Sequence, residues 1–103
     1  MERIALLKKF LEEDPADNFS TYALALEYVK INQVAEAIRL LEEILQRNPE
    51  YLAAYYQLGK LFELQKNFTR SSDVFIQGIE VARTQKDQKT LNELQSALDL
   101  LED

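Results

Sequence analysis

The chain contains no cysteine and no histidine. Without thiolates there is neither a disulfide framework nor a cysteine-bound metal site. Without imidazole the usual general base near neutral pH is missing, so Ser20, Ser71, Ser72 and Ser96 have no partner of that kind to activate them. Glycine and proline occur twice each among 103 residues. That is too few turn residues for a sheet protein, and no glycine-rich loop is present to cradle a phosphate. No apolar run approaches the roughly 18 residues needed to span a bilayer. Met1-Glu2-Arg3 lacks the basic start and apolar stretch of a signal peptide. The default expectation is a soluble cytoplasmic protein, or a domain of a larger one.

Positive charge is also scarce. Twelve Lys and Arg stand against eighteen Asp and Glu, for a net charge of −6. The basic residues are thin and scattered, as in Lys8-Lys9 or Arg83, Lys86 and Lys89, so the clustered cations that neutralise phosphates are missing and a nucleic-acid partner is excluded. Neighbouring acids such as Glu12-Glu13 and Glu42-Glu43 diverge around a helix and read as solvated faces. These gaps point away from an enzyme: no catalytic residue, metal site or cofactor is expected.

What the chain does have is Leu, Ala, Glu, Lys and Gln in abundance, residues that lose little rotamer freedom in a helix. It also repeats itself. Shifted by 34 residues, Glu2 falls on Glu36, Ile4 on Ile38, Leu6-Leu7 on Leu40-Leu41, Leu11 on Leu45 and Pro15 on Pro49. A second shift carries Leu24-Ala25 onto Leu58-Gly59, Tyr28 onto Phe62, Ala37 onto Ser71 and Leu41 onto Phe75. Apolar residues recur at spacings of three and four near 18–31, 34–47, 51–65 and 68–84, which is helical periodicity. Asn32-Gln33 and Lys66-Asn67 supply short connections within each pair of helices, with Asn able to take the left-handed geometry that ends a helix. Pro15 and Pro49 are expected to end one helix and suit the first turn of the next. Connections this short force antiparallel neighbours.

Tyr55-x-x-Leu58-Gly59-x-x-Phe62 and Thr21-x-x-Leu24-Ala25-x-x-Tyr28, followed by Ala37, Leu41 and Ile44 or Ser71, Phe75 and Gly78, resemble the tetratricopeptide repeat. Thr21 stands where the pattern has an aromatic, Ile44 is bulkier than the pattern, and Arg83 replaces the third closing proline. The resemblance implies an all-α antiparallel helix-pair solenoid of about six helices. Its expected parts are a half-repeat helix at 1–14, full repeats at 15–49 and 50–83, and a capping helix at 87–102. Leu91, Leu94, Leu98 and Leu101 form one stripe on that last helix, and Thr90 to Glu93 has capping-box spacing. Gly59 within a helix costs about 1 kcal/mol against Ala, so close packing is its expected reason.

The resemblance further implies protein–protein interaction through a concave groove lined by the first helix of each pair. The corresponding positions here are Phe19, Tyr22, Leu26 and Val29, then Ala53, Tyr56, Lys60 and Glu63. Some family members hold a C-terminal carboxylate with Lys, Asn and Arg at fixed groove positions. Those positions carry Tyr22, Leu26 and Tyr56, with Lys60 the one cation, so an apolar or aromatic peptide, or a helix, is the expected ligand. The alternative is a self-association module. Ile4, Leu7, Phe10 and Leu11 lie on a helix whose preceding partner is missing from the repeat pattern, and would present an apolar strip to a second copy as a homodimer.

Overall fold

A computed structural model describes residues 2–102. The described residues form six α-helices and no strand: α1 (Glu2–Glu13), α2 (Asn18–Lys30), α3 (Val34–Arg47), α4 (Leu52–Leu64), α5 (Phe68–Gln85) and α6 (Gln88–Glu102). They group into two compact units that divide between Asn48 and Pro49. In the first unit α2 packs against both α1 and α3; in the second α5 packs against both α4 and α6.

Each pairing follows from where small and large side chains fall. In the second unit Gly59 of α4 lies under the ring of Phe75, and a Cβ on that glycine would stand 2.6 Å from Phe75 Cδ1. Ser71, fully buried on α5, donates from Oγ to the Gly59 carbonyl at 2.7 Å. Gly78 makes the same kind of room toward α4, where an added Cβ would stand 2.7 Å from Tyr55 Cβ, and it also faces Leu94 of α6. The first unit holds Ala25 and Leu41, both fully buried, at the positions equivalent to Gly59 and Phe75. Volume has moved from one helix to the other between the repeats.

Helix ends are built alike. The backbone N–H of Gln33 bonds Tyr28 O at 2.8 Å, that of Asn67 bonds Phe62 O at 2.9 Å, and that of Asp87 bonds Ala82 O at 2.9 Å. These are the long bonds of the same left-handed helix stop. The residue in the left-handed region is Asn32, Lys66 or Lys86, with φ of 62°, 63° and 60°. Asn32 meets the sequence expectation. At the second connection it is Lys66, not Asn67, that adopts the conformation, because the turn is set by distance from the end of the helix. Asn67 instead caps α5, accepting from Arg70 N at 3.3 Å.

Two sequence expectations about ends need correcting. Pro15 and Pro49 sit in the turns before α2 and α4 and not in their first helical turns, which start three residues later at Asn18 and Leu52. The cap of α2 is Asp17, which accepts from Phe19 N at 3.2 Å and from Ser20 Oγ at 2.6 Å. Likewise α6 is capped by Asp87, not by a Thr90–Glu93 box: Thr90 donates to it from its backbone N at 3.1 Å and from Oγ1 at 2.8 Å. Those two bonds, the backbone one first, hold the Asp87 carboxyl below the usual aspartate value.

Candidate functional site

Helices α4 and α6 border a cleft of about 340 Å³ in the second unit. Tyr56 and Lys60, one turn apart on α4, form one wall, and Asn92, Ser96 and Leu100, each a turn further along α6, form the other. The Tyr56 ring leans on Phe75, with centroids 6.3 Å apart and planes tilted by 46°, which steadies an aromatic surface at the cleft. Lys60 Nζ lies 3.2 Å from Glu63 Oε1. Pairs this exposed contribute about 0–1 kcal/mol, so the ammonium can be redirected to an incoming carbonyl or carboxylate at small expense. Gln88 Nε2 donates to Asn92 Oδ1 at 2.8 Å and holds that amide in place. With the carboxylate of Glu93, which also lines the cleft, aromatic face, cation, amide, hydroxyl and aliphatic tip suit a polypeptide, which offers alternating amides and side chains.

Tyr56 and Lys60 came from the sequence reading; the α6 wall did not. Helix α4 starts 34 residues after α2, but α6 starts 36 after α4. The extra residues follow from α5, which runs for 18 residues where α3 runs for 14. No proline stops it at Arg83. Once the two-residue slip is allowed, Asn92 and Ser96 stand at the positions of Tyr56 and Lys60. The missing proline was the signal that could have found them.

Of the other candidates on α4, Ala53 is exposed and Glu63 half-buried. On α2, Tyr22, Leu26 and Val29 are all half-buried. Phe19 lies apart from them. Standing in the first turn of α2, it is 72% exposed and lines a different cleft with Leu7 and Phe10 of α1.

The proposed self-association strip on α1 is not a strip. Ile4 and Leu7 are buried, because α1 lays that side on α2. Leu11 is half-buried and borders a polar cleft with Thr21 and Tyr28 of α2 and Arg39 of α3. Only Phe10 of the four is exposed. Near that polar cleft, Thr21 stands at the position that is Tyr55 in the second repeat. The tyrosine hydroxyl donates to the Pro49 carbonyl at 2.6 Å. The shorter threonine donates to the Asp17 carbonyl at 2.8 Å and accepts from Arg47 at 3.2 Å.

Among the described residues no acidic cluster could hold a metal ion, and no helix is long and apolar enough to cross a membrane. Helix pairs that repeat with small residues against large ones define a helical-repeat protein. The sequence model of the tetratricopeptide repeat matches residues 22–75, and the chain belongs to that family. It is 44% identical to a tetratricopeptide repeat domain protein from Salinibacter ruber, whose solution structure matches with a TM-score of 0.82 over 86% of this chain and 90% of that one. A protein from Bordetella parapertussis is 24% identical, with a TM-score of 0.83 over 95% and 85% of the two chains. The crystal structure of MamA is 19% identical, with a TM-score of 0.72 over 95% and 64%. The last two show the fold alone. No curated protein matches the sequence significantly.

Proposed function

We propose that the chain is an adaptor that binds a segment of a partner polypeptide, extended or helical, along the α4–α6 cleft. Members of this family generally mediate protein–protein interactions and are typically not enzymes. The observation that supports the site is the cleft itself, where Tyr56 and Lys60 face Asn92, Ser96 and Leu100. Tyrosine contributes contact area with little entropy to lose, which favours it at hot spots. Tyr22 and Leu26 offer the equivalent positions on α2, flanked by Val29.

Selection of peptides from a displayed library on the purified protein, followed by titration of the enriched sequences, tests this reading. Tyr56→Ala should weaken binding by tenfold or more, about 1.4 kcal/mol, and Ser96→Trp should obstruct the cleft, with circular dichroism unchanged in both. Binding that is indifferent to both substitutions would place the ligand elsewhere.

A further inference from the structure

Two apolar surfaces with opposite charge lie outside the α4–α6 cleft. The first is an open cleft of about 460 Å³ in the first unit, with Phe10 and Phe19 as its aromatic walls. They are 47% and 72% exposed. Its rim carries Glu13, Asp14 and Asp17 against one cation, Arg3, whose Nε is already 3.3 Å from Glu27. Glu13 and Asp14 close α1, whose last turn has no basic residue, so the partial negative charge of the helix end adds to theirs.

The second surface is the turn between α4 and α5. Leu64 and Phe68 are 63% and 53% exposed there, one on each side of Lys66. Lys66 holds the left-handed turn, and Arg70 follows half a turn after Phe68 with its guanidinium 4.5 Å from the Phe62 ring centre. Glu63, beside the turn, is paired with Lys60, and Asp73 stands one turn after Arg70 on α5. An apolar knob with a cationic collar and an apolar cleft with an anionic rim are thus exposed on the same chain.

We propose that the protein associates head to tail, the α4–α5 turn of one copy seating Leu64 and Phe68 between Phe10 and Phe19 of the next. Lys66 and Arg70 then approach Glu13 and Asp14. The occupant is a second copy because the complementary partner surface is part of this chain. Pairing like with like would set the acidic rims of two molecules, each of net charge −6, against each other. Since the two patches differ, the contact is heterologous, so it passes from copy to copy in an open chain or closes into a ring. No residue of the α4–α6 cleft takes part, so this inference stands independently of the adaptor reading.

Sedimentation velocity over a concentration series tests it with two double variants, Phe10→Ser/Phe19→Ser and Leu64→Ser/Phe68→Ser. The wild type should associate as concentration rises, and each variant alone should stay monomeric, with association weakened at least tenfold. Mixed in equal amounts, the two variants should form a one-to-one dimer and nothing larger, because one intact cleft and one intact knob remain. Charge gives a second route that leaves the apolar side chains alone. Lys66→Glu/Arg70→Glu should abolish assembly, and mixing it with Glu13→Lys/Asp14→Lys should restore it with the two variants alternating, because each knob then meets a cleft of opposite charge. A wild type that stays monomeric into the high micromolar range overturns the proposal. So does a Leu64→Ser/Phe68→Ser variant that assembles normally, or mixtures that stay monomeric while the wild type assembles. Peptide binding indifferent to Tyr56→Ala, with assembly intact, would count against the adaptor reading alone.

Discussion

At the scale of single residues, the two repeats solve one packing problem with opposite distributions of volume. Ala25 and Leu41 are both fully buried in the first unit, while Gly59 and Phe75 meet in the second. Gly59→Ala should gain about 1 kcal/mol of helix propensity, yet force the Phe75 ring out of its place, for a net loss of about 1–3 kcal/mol. Adding Phe75→Leu rebuilds the pair found in the other repeat and should recover part of that loss. Urea unfolding of the two single variants and the double variant measures the coupling, which should favour the double variant by at least 0.5 kcal/mol, roughly the threshold for touching residues. Strictly additive losses would show that the two side chains do not share the space. Lys86 is a second case. A left-handed conformation costs an L-residue about 1–2 kcal/mol, part of which glycine gives back through the unfolded chain. Lys86→Gly should therefore stabilise by about 0.5–1 kcal/mol, read as a thermal midpoint a few degrees higher.

At the scale of elements, α6 shows how dependence on a neighbour is built in. Leu94 is fully buried and would meet any side chain added at Gly78 of α5. Leu94→Ala should destabilise by about 2–5 kcal/mol and weaken the α4–α6 cleft with it, measured as a lower urea midpoint and poorer peptide binding. Most helices were legible in the sequence, because apolar spacing and the 34-residue shift depend only on the chain itself. Tyr56 and Lys60 were legible for the same reason. The α6 wall was not: it depends on how far α5 runs, which is decided by a proline that is absent at Arg83 and a stop placed at Lys86. The grouping on α1 was also hidden. Spacing placed Ile4, Leu7, Phe10 and Leu11 together, but α2 covers the first two and Leu11 turns toward another cleft. Phe19 joined Phe10 because Asp17 sets where α2 begins, and thus which way its first turn faces.

At the scale of the whole molecule, charge governs response to acid. Glu27 is held below the ordinary 4.5 chiefly by its hydrogen bond to Lys30, with Arg3 assisting, and Glu36 by its hydrogen bond to Arg39. Asp87 lies below the ordinary 3.8 through its bonds to Thr90. Each of these groups binds a proton more readily when unfolded. Their stabilisation is therefore present above the ordinary values and lost as pH falls through the depressed ones. The urea midpoint should hold near neutral pH and decline below about 4.5, reaching its low value only beneath the depressed values. Glu27→Gln/Glu36→Gln should flatten that decline; an unchanged slope would assign it to general repulsion in the now cationic chain.

The buried hydroxyl of Tyr55 gives the molecule a built-in optical gauge. There is no tryptophan, so its near-ultraviolet signal rests mainly on five tyrosines. The other four are half-buried, and at Tyr55 burial raises the proton affinity of the phenol above the ordinary 10.0. Its phenol is anchored to the Pro49 carbonyl. In an alkaline titration it should ionise above that ordinary value, when the second unit opens, so that unit signals its own unfolding without a label.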